Sequence, residues 1–425
     1  MKRKKICEIP DEFTLSANNE VIKRKFRFEL ITPMFGGDAE SWVLDLKNPV
    51  RGQSVKGQLR FWWRTMQNEQ EAKKLLRKEN ELWGGKTIDS NGKASRIKSR
   101  ISLSIGEFDI DHKKNTVLAK MANKYAVESD IIPSNVLFPI TSDVKKNLKE
   151  IHYIKEMGFS LNISYPKSHE TDVLNTLKLW TLFGGVGART RRGTGSIYCE
   201  ELLQSFQSEK DIHTFIQSLS SDQHLHQLPY PRISGLKIYA KQKSKASASE
   251  EWHSFLESYG KFRQDRKPGK SPGRSYWPEP DAIRRLTNIN STNHVPMHPD
   301  GEWFPRSAFG LPILTKFITE GDPGNTKDIT LKPNIDTGER FPSPVILKVI
   351  KLSDGSVLQC AIILNQKFPD KLTLDVGSKS YPVSGDMLPF HLGYEKTKIM
   401  RKGHELNGGT IYENLAKHLG LEEVK

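Results

Sequence analysis

"LFGGVGARTRRGTGSIY", residues 182–198, decides how the first half of this chain is read. Five glycines (Gly184, Gly185, Gly187, Gly193, Gly195) and three arginines (Arg189, Arg191, Arg192) lie between an amphipathic stretch, "TDVLNTLKLWTLFGG" (171–185), and a β-prone run, "GSIYCEEL" (195–202). It is not a phosphate loop of the G-x-x-x-x-G-K-[ST] kind. It also fails G-x-G-x-x-G, because Thr190 stands where the third glycine would follow Gly185 and Gly187. The setting is wrong for both motifs, since a helix precedes it and a strand follows. What remains is backbone free to take positive φ and to approach a ligand closely. Guanidinium forks, the hydroxyls of Thr190 and Thr194 and backbone N–H groups suit a sugar–phosphate chain held without reading its bases. The alternative is a long turn whose arginines point into water.

The flanking elements follow from periodicity. "KRKFRFELITP" (23–33) alternates charged and apolar residues as a half-buried strand does, and Gly36-Gly37 marks a turn after it. "SVKGQLRFWWRTMQNEQEAKKLLRKENELWGG" (54–85) reads as one helix, with Ser54 as N-cap and Gly84-Gly85 as its stop. "SRISLSIGEF" (99–108) and "MGFSLNISYP" (157–166) read as strands, and residues 171–185 as a second helix. Strand, helix, two strands, helix, strand is the β-α-β-β-α-β ferredoxin-like order. It predicts one domain over 21–205 behind a tail at 1–20.

Residues 206–425 predict a second, divergent α+β domain. Its strands are expected at 234–241, 343–352 and 357–365, and its helices at 249–262 and near 409–419. A charged Gly/Pro linker, "RQDRKPGKSPGRS" (263–275), interrupts it, and "KQKSKASASE" (241–250) reads as a surface crossing.

Of the 425 residues, Lys and Arg number 65 against 50 for Asp and Glu, a formal charge of +15. With a pI near 9.4, such an excess attracts polyanions. A merely basic, soluble surface gives the same totals, so the placement of the charges must decide. No run has the eighteen or so apolar residues of a membrane helix. "MKRKKICEIPDEF" (1–13) has basic residues but no apolar stretch of a secretory signal behind them. Cys7, Cys199 and Cys360 offer neither a disulfide framework nor a zinc spacing. The expectation is a cytoplasmic protein without metal, cofactor or membrane.

The first helix carries the next clue. At about 100° per residue, Lys56, Arg60 and Arg64 share one stripe, whereas Val55, Leu59, Trp62 and Met66 gather on another. Trp63 falls beside the cations, so a base is expected to stack on it while the cations neutralise phosphates. Arg51 adds a further phosphate contact, and the N–H groups at 52–56 offer another anion site. The alternative is a solvated basic face with Trp63 tucked against a neighbouring domain.

Taken together these stretches resemble a family. "GGVGARTRRGTGS" near the end of a ferredoxin-like domain resembles the G-loop of the RAMP superfamily of CRISPR proteins. "TPMFGG" (32–37) paired with "RGQSVKGQLRFWWR" (51–64), then "RSYWPEPDAIRR" (274–285) and "FPRSAFGLPI" (304–313), resemble the first-subunit family of the type III-B, or Cmr, effector complex. After about residue 350 no motif matches. The resemblance implies an α+β fold of tandem ferredoxin-like (RRM-like) domains, the second divergent. It also implies a place at one end of an antiviral CRISPR ribonucleoprotein, with the other Cmr subunits as partners. There the 3′ part of the guide RNA and the 5′ region of the target RNA would be contacted, without nuclease activity. Carried over, the RNA contacts are Lys56, Arg60, Trp63 and Arg64, the Gly184–Gly195 loop, and Arg284 and Arg285. The last two could instead be ion-paired to Glu279 or Asp281.

An endoribonuclease is the competing expectation, since some RAMP-superfamily proteins cut precursor RNA with a histidine base. None of the 12 histidines lies in these motifs. His224, His226, His294 and His298 occupy polar stretches without an adjoining carboxylate pattern, and H-E-x-x-H and C-x-x-C are missing. Asp38, after "FGG", is the one carboxylate singled out for cleavage. A pure protein scaffold would explain the size but not the arginine-rich loop.

Overall fold

A computed structural model describes residues 20–38, 43–88, 94–118, 152–220, 228, 230–264, 275–298, 303–324, 328–334, 340–383, 400–401, 404–405 and 410–425. The first unit runs β1 (Val21–Leu30), α1 (Gly52–Met66), α2 (Ala72–Trp83), the hairpin β2 (Gly85–Ile88) and β3 (Ala94–Ile97), β4 (Ser102–Asp109), β5 (Gly158–Pro166), α3 (Glu170–Phe183) and β6 (Ile197–Tyr198). Its main sheet has the order β4-β5-β1-β6, every pair antiparallel. That is the order a β-α-β-β-α-β unit requires, with α1 and α3 as its crossovers. Phe26, Phe28 and Leu30 of β1 point inward with Phe159, Leu161 and Ile163 of β5, while Lys23, Lys25 and Arg27 alternate outward.

The long helix expected over 54–85 is two helices. The chain turns between Met66 and Ala72, and the extended N-cap is Arg51 rather than Ser54. The turn is fixed from outside. Arg232 donates to Gln67 O at 2.7 Å, and the Tyr230 hydroxyl donates to Glu69 O at 2.8 Å. Tertiary partners thus break a pattern that local propensity would continue.

After α4 (Glu209–Leu219), the second unit runs β7 (Arg232–Ala240), α5 (Ala248–Gln264), α6 (Glu279–Thr287), β8 (Ile313–Thr315), β9 (Ile329–Pro333), β10 (Val345–Lys351), β11 (Val357–Asn365), β12 (Leu372–Val376), β13 (Lys379–Val383), α7 (Ile411–His418) and β14 (Glu422–Glu423). Its principal sheet has the order β10-β11-β7-β14, again antiparallel throughout. The strand order of the first unit therefore recurs, with α5 and α7 between its strands. A separate sheet, β8-β9-β12-β13, is inserted and has its own core around Phe304, Leu331 and Leu374.

The two units share apolar packing. On β10 and β11, Ile346, Ile350, Leu358, Cys360 and Ile362 join the core of the first unit. Val345, Leu347, Val349, Val357 and Ala361 join a second core under α5 and α7. A strand covered on both faces reads as a continuous apolar run, which is why "SPVILKVIKL" lacks alternation. Lys348 interrupts that run. It is 1 % exposed, faces the first unit, and donates through Nζ to the carbonyl of Gly184, the C-cap of α3. The contact satisfies one of the carbonyls that every helix end leaves open.

Burial lowers the Lys348 pKa from its ordinary 10.5 to about 7. Between those values the unfolded chain holds a proton that the folded chain has shed, so this group makes stability rise with pH. Wild type should therefore gain thermal stability on Lys348→Met as pH is raised from about 7 to about 10. Melting curves that stay a constant distance apart would contradict a desolvated amine.

Candidate nucleic-acid interface

The glycine loop is packed between the units. Gly195 has φ +61, and a Cβ there would overlap Val186 O; Gly187 has φ +77, and a Cβ would lie 2.6 Å from Met34 Cγ. Arg189 also takes the left-handed region, at φ +59, and starts a single 3-10 turn over Thr190–Arg192. The Thr32 hydroxyl donates to Gly193 O at 2.6 Å, and the Thr194 hydroxyl donates to Ala188 O. Gly184, Gly185, Gly193 and Gly195 are buried; Gly187 is exposed, and Ala188 to Arg192 are half-buried.

Arg191 and Arg192 turn toward protein. Arg191 donates to Ser343 O of the second unit, and its guanidinium lies 5.4 Å from the ring centre of Phe61 on α1. Burial, then the Arg192 charge, pushes its pKa down to about 10. Arg192 stacks over Tyr259 of α5 at 4.5 Å, and its carbonyl accepts from Trp252 Nε1 at 2.9 Å. The alternative reading of arginines in water is thus corrected for these two: they join the units. Arg189 and Thr190, with Gly187, form the outer rim. The Arg189 pKa is lowered by burial and then by Arg192.

The helical-wheel position of Trp63 is corrected too. Trp63 is 4 % exposed and Trp62 2 %, and both belong to one core. Helix α2 and strand β7 cover flanks of α1 that the wheel left to solvent. The cationic stripe is partly neutralised as well. Glu79 of α2, 1 % exposed, pairs with Arg60 Nε at 2.5 Å and Arg64 Nη1 at 2.7 Å. No feature of the sequence marked Glu79 for that position. Lys56 donates to the Ser99 hydroxyl at 2.9 Å. Its pKa is lowered by burial and then by repulsion from Arg60, and an arriving phosphate would offset both by favouring the charged amine. Arg51 pairs with Asp38 at 2.8 Å, so the carboxylate singled out for cleavage has a cationic partner.

Arg284 and Arg285 lie elsewhere, in a half-buried polar cluster. Arg284 grips Asp322 through two bonds of 2.9 and 2.7 Å, approaches Asp281 at 3.2 Å and stacks on Phe317. Arg285 donates to His298 O at 2.6 Å. The ion-paired alternative with Asp281 is the one observed for Arg284; Glu279 pairs with Arg306 instead. His294, expected to lack a carboxylate, has its Nε2 3.0 Å from Asp281. His298 is buried with its ring against Tyr276 O. His224 and His226 lie outside the described residues. Among the described residues no group of three or more His, Cys, Asp or Glu is placed to hold a metal ion, and no helix is long and apolar enough to cross a membrane.

Because both tryptophans are buried, Trp62→Ala and Trp63→Ala should each cost about 3–5 kcal/mol. Denaturant titrations measure both; a neutral Trp63→Ala would restore its surface role. The joint gives a second test. Arg191→Ala with Arg192→Ala should lower the thermal midpoint by several degrees.

Residues 27–198 match the RAMP superfamily. Among solved structures, the chain is similar to Cmr1 from Pyrococcus furiosus in its apo form, at 16% identity and a TM-score of 0.46, over 86% of this chain and 94% of that one. It is also similar to a chain in the cryo-EM structure of the type III-B Cmr-beta complex bound to cognate target RNA. That likeness has 13% identity and a TM-score of 0.41, over 81% of this chain and 94% of the other. No curated protein matches the sequence. From Arg27 in β1 to Tyr198 in β6, across the glycine loop, the chain is similar to the RAMP superfamily.

Proposed function

We propose that this protein is a non-catalytic RNA-binding subunit of a type III-B CRISPR effector. In this reading residues 21–205 and 206–425 form a tandem of ferredoxin-like domains, a reading supported by the recurrence of one strand order in both sheets. The effector assignment rests on the RAMP-superfamily match and on the four sequence stretches that resemble the Cmr first-subunit family. The partners are guide RNA, target RNA and neighbouring Cmr subunits.

One observation carries the RNA-binding role. The contact of Arg191 with Phe61 sets the glycine loop against the basic helix α1. Lys56 and the outer rim at Gly187, Arg189 and Thr190 then offer charge and backbone on neighbouring elements, and Arg51 adds what Asp38 leaves of its charge. Arg60 and Arg64 contribute what Glu79 leaves of their charge. Trp63, Arg191, Arg192, Arg284 and Arg285 are reassigned to structure, because each is committed to packing or to internal partners.

Binding of single-stranded RNA by the full chain should weaken steeply with salt and vary little with sequence, as phosphate neutralisation requires. Arg51→Gln with Lys56→Gln should reduce the salt slope by about 1.4, taking about 0.7 per contact on a single strand. RNA incubated with Mg²⁺ or Mn²⁺ should stay intact. Salt-independent affinity would oppose the phosphate grip, and cleavage abolished by Asp38→Ala would establish a nuclease instead.

A further inference from the structure

The hairpin β2–β3 concentrates cations that no carboxylate among the described residues neutralises. Lys86 of β2 and Arg96 of β3 are cross-strand partners, so two like charges sit directly opposite each other. Such a pair is unfavourable in a sheet. Lys86, Arg96, Lys98 and Arg100 are all exposed, and none makes an ion pair among the described residues. Elsewhere this protein pairs many of its exposed cations. Lys25 meets Glu107, Lys74 meets Glu71, Arg77 meets Glu81 and Lys243 meets Asp354. The hairpin is a local departure from that practice.

Its position adds direction to the charge. Ser99, between Lys98 and Arg100, receives the Lys56 ammonium, so the hairpin base adjoins the basic side of α1. Exposure then alternates along the chain through Arg96, Lys98, Arg100, Ser102 and Ser104. Ser102 and Ser104 lie on the open face of the first sheet. There the register sets Ser102, Ser164 and Lys23 in one row, and Ser104, Asn162 and Lys25 in the next. A strip of cations thus runs into a strip of hydroxyl and amide groups with no aromatic ring among them. That chemistry fits phosphates and ribose hydroxyls rather than stacked bases.

We propose that the β2–β3 hairpin and the adjoining open sheet face hold the sugar–phosphate backbone of an RNA strand, as a second track beyond the glycine loop. The proposal rests on the RNA-binding reading of the chain and extends it to Lys86, Arg96, Lys98 and Arg100. The uncompensated pair at Lys86 and Arg96 is the geometric signature: each phosphate placed between them removes a repulsion as well as gaining two attractions.

The test compares two triple variants of the full chain that lose equal charge. One is Lys86→Gln, Arg96→Gln, Lys98→Gln on the hairpin; the other is Lys241→Gln, Lys243→Gln, Lys245→Gln on the second unit. Affinity for a single-stranded RNA of mixed sequence is measured across a range of salt. The hairpin variant should bind at least about tenfold more weakly, with a salt slope smaller by about 2, and the second-unit variant should differ little. Equal losses in both variants would mean that only the overall field matters, overturning the track while leaving RNA binding in place. A wild-type chain that binds no RNA at low salt, or one that takes a polyglutamate peptide instead, would overturn the track and the RNA-binding reading together.

Discussion

The architecture depends on one sheet being covered on both faces. Strands β10 and β11 carry apolar side chains to the helices α5 and α7 on one side and to the first unit on the other. Neither unit can move away without exposing Ile346, Ile350 and Ile362. Into this apolar contact the fold places the Lys348 amine, whose acceptor is a carbonyl at the end of α3. A buried amine with so few partners carries a large desolvation cost. It persists because its acceptor is a helix terminus, where a donor and the axial dipole favour it.

That constraint explains the glycine loop better than ligand binding alone does. The loop leaves α3 at Gly184 and must re-enter the first sheet at Ile197 while passing between packed elements. Gly195 closes against Val186, Gly193 lies beside Trp252 of α5, and Gly185 lies near the Lys348 amine. Glycine is required by these approaches whether or not a phosphate is present. Arg191 and Arg192 then join the loop to the second unit. Only the outer rim remains for a ligand, so any grip there acts on a segment already locked to both units.

The sequence showed the main elements because their periodicity is strong. "KRKFRFEL" alternates, "SLSIGEF" and "FSLNISY" pair with it as expected, and the glycines mark where the second helix ends. The fourth strand of the second sheet was not legible: β14 has two residues, Glu422 and Glu423, and no pattern of its own. The inserted sheet escaped for a related reason, since its strands have three to five residues each. The candidate site was less legible than the fold. A helical wheel knows only its own helix, so it left Trp63 at the surface that β7 and α2 in fact enclose. The same blindness hid Glu79, which meets Arg60 and Arg64 only because the chain folds back at Gln67. "WPEPDAIRR" contained its own warning, since Asp281 stands three residues before Arg284 and the two meet.

Net charge is therefore a poor guide to where a polyanion binds, and the distribution of partners is a better one. Arg284 and Arg191 each spend their guanidinium on internal acceptors. Arg60 and Arg64 share one buried carboxylate, which leaves that pair a single net positive charge on α1. Lys56 keeps its charge at a cost, because burial and Arg60 both oppose it. Lys86 and Arg96 stand opposite each other across a hairpin. Cations maintained against an electrostatic penalty are the ones that gain most when a phosphate arrives. The strongest response to polyanion is then expected where folding has left repulsion unrelieved, not where arginines are most numerous in the sequence.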